Sequence, residues 1–340
     1  MDFPMIALTR GKYMSKLTRR SLIQAVGASA GLSALAPVNS LLAAEKSKTD
    51  SLPTQLYKSL SDSQREKLCL AVDHPKRQYI SNWWYIHPQH RIPTSYTPEQ
   101  QAMIRTIFDS MHSPEHQDAV NNQVLIDQYG EEKNAPSAGF FGTPDDENFE
   151  FIFTGHHVTR RCNARSDKGQ GFGGAPIFYG HYPHPVTKGS ENFNETKDHP
   201  GNPYWYQGKV FNRFVQALNG RQQEMGLIAA EPRSEKPEAV IQIPSEKRGL
   251  HTSELSKDQK ELLVDSMRDM LAMFREDDVK ATMQTIRKQN IADNLTVSWF
   301  SGQYDIGSDK VWDTWQIEGP NMVWYFRGLP HIHCYFHLKA

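Results

Sequence analysis

The chain has 340 residues, with 38 Lys and Arg against 39 Asp and Glu and a formal net charge of −1. That balance excludes a generally basic nucleic-acid binder, and a mean hydropathy of −0.64 excludes a polytopic membrane protein. With 38% hydrophobic and 11% aromatic residues the composition is globular and long enough for a real core, and its 14 His stand out.

At the start of the chain, Thr18-Arg19-Arg20-Ser21-Leu22-Ile23-Gln24 sets a paired arginine ahead of a mild apolar run rich in Ala, Gly and Ser. The run is too short to cross a bilayer, which takes about 20 residues. It resembles a twin-arginine export signal, so residues 1–44 are expected to be an address segment and the protein to be periplasmic or secreted. Export of this type carries proteins already folded, which the resemblance links to cofactors loaded inside the cell. Removal takes five basic residues and one acidic residue with it, leaving a mildly acidic chain with no attraction to DNA or anionic lipid. The expected partner is a small-molecule substrate or ligand, with no nucleic acid and no stable membrane insertion. Three cysteines, Cys69, Cys162 and Cys334, are too few for a disulfide framework.

One pattern recurs along the chain: a capping residue, two variable residues, then Gln, ahead of an apolar helical run. It occurs as Ser61-Asp62-Ser63-Gln64, Thr97-Pro98-Glu99-Gln100, Asn219-Gly220-Arg221-Gln222 and Ser256-Lys257-Asp258-Gln259. Each predicts a helix start, because the cap side chain accepts from the backbone N–H of the Gln and the Gln reaches back to the cap. Leu263, Met267, Met270 and Phe274 then repeat at helical spacing. The copies are unevenly spaced, which excludes a solenoid. Residues 113–144 carry mixed signals, and 188–203 and 231–247 read as polar loops. Strands are expected over 149–158, 296–300, 311–317, 322–326 and 331–338, joined by Gly and Pro turns. The expected fold is α+β, with an antiparallel sheet and packed capped helices in one large domain over residues 50–340.

The last of these strands carries the chemistry. In His331-Ile332-His333-Cys334-Tyr335-Phe336-His337-Leu338 the alternation puts Ile332, Cys334, Phe336 and Leu338 on one face and His331, His333, Tyr335 and His337 on the other. Imidazoles two apart on a strand can converge on one ion, whereas His337 lies too far along to share it with His333. A third ligand is expected from Gly155-His156-His157; strand alternation lets only one of His156 and His157 join unless Gly155 marks a bulge. Gly173-Gly174-Ala175-Pro176-Ile177-Phe178-Tyr179-Gly180-His181-Tyr182-Pro183-His184 lacks the lysine and helix of a phosphate loop. Its His181 is a further candidate ligand or a surface residue. Trp83-Trp84-Tyr85-Ile86-His87 reads as core and a turn, or as a pocket wall.

Taken in order, these segments resemble a known family, the domain-of-unknown-function family 3500. The resemblance rests on Leu60-Ser61-x-x-Gln64-Arg65, Gly155-His156-His157, Pro176-Ile177-Phe178-Tyr179-Gly180, Trp299-Phe300-Ser301-Gly302, Ile317-Glu318-Gly319-Pro320 and His331-Ile332-His333. It covers most of the chain after the address segment. Gln316 stands where the family pattern has Arg, which marks a divergent member. The family brings no activity with it. The residues themselves point to an exported metal-binding protein, a metal-dependent hydrolase or oxidoreductase. His331, His333 and one of His156 and His157 are its expected ligands, zinc or alternatively copper its ion, and Tyr335 or Glu318 its general acid or base. The alternative is a non-catalytic extracytoplasmic binder whose coordination shell His181 closes.

Overall fold

A computed structural model describes residues 50–165, 175–181, 202–229, 249–301, 311–328 and 331–339. Every described residue belongs to one compact unit, Thr49–Ala340. The expected address segment, the loop at 231–247, all but the last two residues of the loop at 188–203, and His184 lie outside the described residues.

The architecture is mixed α and β, built on one sheet. In chain order its strands are β1 (Cys69–Leu70), β2 (Ser137–Phe141), β3 (Glu150–Gly155), β4 (Val158–Asn163), β5 (Ile177–His181), β6 (Leu227–Ile228), β7 (Leu250–His251), β8 (Thr296–Phe300), β9 (Thr314–Gly319), β10 (Met322–Arg327) and β11 (Ile332–Leu338). They lie in the order β1-β2-β3-β4-β5-β11-β10-β9-β8-β6, with β7 also pairing with β8. All neighbours are antiparallel except the outermost pairs, β1 with β2 and β6 with β8.

All four capping boxes form at the expected residues. They also clasp each other in pairs. The Gln64 amide donates to Gln100 Oε1 (2.8 Å) and Gln100 donates back to Gln64 Oε1 (3.3 Å). Gln222 and Gln259 repeat the exchange at 2.9 Å each way. Each Gln also donates to a carbonyl at the other helix's approach: Gln100 to Ser59, Gln64 to Ser95, Gln259 to Ala217 and Gln222 to Glu254. The capping Gln thus fixes two helices against one another as well as starting one.

This pairing shows what the uneven spacing of the motif means: the chain is built twice. Helices Leu52–Ser59, Asp62–Leu68, Pro98–Ser110 and Gln117–Asp127 precede β2 to β5. Helices Tyr206–Gln216, Gly220–Gly226, Lys257–Met270 and Glu276–Lys288 precede β8 to β11 in the same order. In each half a two-residue strand follows the second helix and pairs in parallel with the first strand of the meander. In each half two six-residue strands are joined by two residues, His156-His157 in the first and Pro320-Asn321 in the second. The halves meet where β5 and β11 run antiparallel at the middle of the sheet.

The alternation read in the last strand is what packs. Ile332, Cys334, Phe336 and Leu338 enter the main core with Trp315, Ile317, Trp324 and Phe326. Phe211, Trp315 and Phe326 stack there in series, at 4.6 and 5.2 Å between centroids. The opposite face carries cross-strand rows: Gly180, His333, Arg327 and Thr314; then Phe178, Tyr335, Tyr325 and Gln316; then His337, Val323 and Glu318. That face is mixed: Phe178, Val323, Tyr325 and Tyr335 cluster there, and the polar Gln316, Glu318, Arg327 and His337 are buried beside them.

The expected single strand over 149–158 is two strands, because His156-His157 is the turn between them rather than part of a ladder. β9 begins at Thr314, later than the expected 311. Residues 137–141, in the mixed stretch, form a fully buried strand with no alternation to betray it. Ile177–His181 is likewise a strand rather than a surface loop.

Gln100→Ala removes a buried amide that bridges two helices and leaves its partners short of a bond. A loss of roughly 1–3 kcal/mol in unfolding free energy is expected, read as a drop in the denaturant midpoint with an unchanged slope; an unshifted midpoint contradicts the clasp.

Candidate metal centre

The two-residue turn between β3 and β4 is the first element of the site. His157 sits there with φ of +54°, a left-handed conformation that costs an L-residue with a Cβ of order 1–2 kcal/mol. The surroundings hold it: His157 N–H donates to the Asn82 carbonyl (2.7 Å) and Gly180 N–H donates to the His157 carbonyl (3.1 Å). Because the pair turns the chain, strand alternation does not apply, and the two rings stack on one another 3.9 Å apart. Gly180 makes room for this. A Cβ there would overlap the Ile332 carbonyl oxygen and press on the His157 ring.

The second element is the start of β11. His157 Nε2 lies 3.1 Å from His333 Nε2, and His331 Nε2 lies 2.9 Å from His333 Nε2. One nitrogen from each of the three rings thus falls within 4.8 Å of the others. Bonds of about 2.0–2.1 Å to a tetrahedral ion put ligand nitrogens about 3.3 Å apart, so the three rings stand near ligand spacing. His157 is buried; His331 and His333 are partly exposed, which leaves a side for solvent and a ligand.

The third element is Asp127, the last residue of helix Gln117–Asp127. A carboxylate at a helix C-terminus faces the negative end of the helix dipole, and this one is fully buried. It accepts from His157 Nδ1 at 3.1 Å and Gln123 Nε2 at 2.7 Å, and His181 Nδ1 lies 3.6 Å away. Burial alone would raise its pKa, but the adjoining His157 and His181 outweigh burial and hold it well below the usual carboxylate range. Because a carboxylate only accepts, His157 carries its proton on Nδ1 and turns the Nε2 lone pair toward His331 and His333. Carboxylate, imidazole and ion in line is the usual support of a metal-ligating His.

A chain of bonds continues behind Asp127. Arg160, buried, donates to the Tyr204 hydroxyl (3.3 Å), Tyr204 to Gln123 Oε1 (2.7 Å), and Gln123 to Asp127. Arg160 also donates to His112 Nε2 (3.0 Å). On the other side Arg327 Nη2 lies 2.8 Å from His333 Nδ1. Burial lowers the pKa of His331 to about 2 and of His156 to about 3, with the neighbouring His157 adding to both. Burial and then Arg327 lower that of His333 well below its ordinary value. These three rings are therefore neutral at ordinary pH, the form that can ligate.

The structure thus brings together three of the expected ligands, His157, His331 and His333. His156 instead donates from Nδ1 to the Asp127 carbonyl (3.1 Å) and stacks under the exposed Trp83 (4.4 Å); with Asp127 and His157 it forms a second group able to hold an ion. His181 is buried rather than on the surface, and its ring faces Asp127. Tyr335 shares the face of His333 but stacks on Tyr325 (4.8 Å) within a small apolar cluster with Ile80, Phe178 and Val323. Glu318 lies two rows from His333, opposite Val323, and accepts from Gln316 (2.5 Å); it is away from the three imidazoles. Asp127 and Arg327 were not singled out in the sequence. The signal for Asp127 was an acid at the end of a helical stretch, just before Tyr129-Gly130, where the dipole disfavours one.

A family model described as a protein of unknown function (DUF3500) matches residues 43–337. No curated protein and no solved structure matches the chain.

Buried imidazoles whose pKa is lowered on folding bind protons better in the unfolded chain. Their contribution is complete above about pH 6.5 and is lost as pH falls toward the folded values. The metal-free protein should therefore lose unfolding free energy steadily from about pH 6.5 down to pH 4.5 in urea titrations. A flat profile over that range would contradict neutral burial of these rings.

Proposed function

The chain belongs to the DUF3500 family, whose description carries no activity, and from the site alone we propose that it is a metal-dependent enzyme holding one divalent transition-metal ion on the Nε2 atoms of His157, His331 and His333. The observation that carries this reading is the convergence of those three nitrogens, at 2.9 and 3.1 Å, from a turn and from the start of a strand far apart in sequence, with a buried carboxylate orienting one of them. Three protein ligands and an open fourth position are the pattern of catalytic rather than structural zinc. Zinc fits an all-imidazole set and would act as a Lewis acid or activate a bound water. Copper is the alternative, by its higher intrinsic affinity for nitrogen ligands.

Within the site Asp127 orients His157, and His181 and Gln123 hold Asp127. Tyr335, on the same face as His333, is the candidate general acid or base. Glu318 is not placed to serve. The paired Arg19-Arg20 ahead of an apolar run supports export, and so a periplasmic or secreted place of action on a small molecule. The other outcome of the tests below is a binder without catalysis, which would need a fourth protein ligand. His181 does not supply it, since its ring is turned to Asp127.

Protein purified without an affinity tag should carry or take up about one zinc per chain, measured by atomic emission. The double variant His331→Ala, His333→Ala should lose it; unchanged metal content would remove the site. Asp127→Asn should weaken zinc binding by roughly 10–100-fold in a competition with a chromophoric chelator, while the same assay on Glu318→Gln should show no change.

A further inference from the structure

Arg327 stands against the wrong nitrogen for a metal ligand. A guanidinium only donates hydrogen bonds, so at 2.8 Å from Arg327 Nη2 the His333 Nδ1 must accept. A neutral imidazole carries one proton, and that of His333 is then on Nε2. The neighbours agree. His157 has its proton on Nδ1, committed to Asp127, so its Nε2 offers only a lone pair to the His333 Nε2–H 3.1 Å away. Donors therefore run in one direction: Arg327 to His333, the His333 Nε2–H to the lone pairs of His331 Nε2 (2.9 Å) and His157 Nε2, and His157 to Asp127. This chain is self-consistent without an ion, and an ion cannot simply be added to it. Ligation through Nε2 needs that nitrogen's lone pair. The ring proton must then sit on Nδ1, where it would meet an Arg327 N–H head on.

We propose that Arg327 is a latch on metal loading, and that His333 changes tautomer as the latch opens. The proposal rests on the metal reading above. In the metal-free protein Arg327 holds His333 as the Nε2–H tautomer and the site is closed by hydrogen bonds. As the ion binds, the proton leaves Nε2 and one returns to Nδ1 through solvent, so His333 stays neutral and releases no proton overall. Arg327 withdraws from Nδ1 in the same event. Its place at the end of β10, directly before Gly328, gives the side chain a strand terminus rather than a strand interior to move from. The loaded site then has a guanidinium beside the ion, released from His333.

The test reads tautomers directly. Histidine side-chain 15N shifts of the wild-type protein, assigned with His333→Gln and His157→Gln, should show His333 as Nε2–H and His157 as Nδ1–H before zinc. With one equivalent of zinc bound, both should be Nδ1–H. Arg327→Gln, whose amide oxygen can accept from Nδ1–H, should bind zinc at least about tenfold tighter, the scale of one hydrogen bond to a charged group. A His333 that is already Nδ1–H without zinc, or that keeps the same tautomer with zinc bound, overturns the latch, as does unchanged affinity in Arg327→Gln. A gain in affinity without tautomer exchange is a charge effect and also counts against it. Wild-type protein that takes up no zinc at all sinks the metal reading and the latch together, whereas zinc binding with no exchange sinks the latch alone.

Discussion

One buried carboxylate organises the region around the three imidazoles. Asp127 lies at a helix end that disfavours its charge and is fully buried, so it is kept ionised by the donors around it. Because it only accepts, it dictates which nitrogen of His157 bears the proton. His157 in turn presents its lone pair where His331 and His333 point. Removing one partner of so buried a charge typically costs about 3–5 kcal/mol, and the loss would reach stability and binding together. The line through Gln123 and Tyr204 to Arg160 extends this arrangement to the opposite side of the sheet, where a guanidinium charge is buried among aromatic rings.

The doubled architecture explains where the site can exist. Each half supplies a helix pair clasped by capping glutamines and a meander of strands, and each half has a two-residue turn at the same point. In the first half that turn carries two imidazoles; in the second it carries Pro320-Asn321. Asp127 ends the last α-helix before β2, while the matching helix of the second half ends in Arg287 and Lys288, which suit the dipole and leave no carboxylate. The three imidazoles are therefore drawn from both halves: His157 and its carboxylate from the first, His331 and His333 from the second. Neither half supplies all three of these imidazoles alone.

Much of this was legible in the sequence, for reasons that can be named. The capping boxes were readable because the cap and its Gln are three residues apart and act locally. The faces of β11 were readable because one side packs on the main core, so its alternation is complete. The His pair at 156–157 was located but misjudged, since a left-handed residue in a turn obeys no strand parity and His gives no glycine-like signal of it. β2 and β5 were missed because a strand buried on both faces has no polar alternation. Asp127 was missed because its one local sign, an acid at a helix end, does not announce that His157 and His181 will arrive from elsewhere. The clasp between glutamines needs the helices' approach, which spacing alone does not reveal.

The seam at the centre of the sheet also sets an order of events. β5 waits with one bare edge until β11, the final strand of the described chain, has left the ribosome, and unpaired edges invite pairing with other chains. The central ladder is thus the longest-range strand pairing among the described residues, the kind that closes slowly. The strand that closes it also brings two of the three rings. Completion of the sheet and assembly of the three imidazoles are one step, so a nascent or truncated chain does not have the three rings together before its tertiary structure is finished.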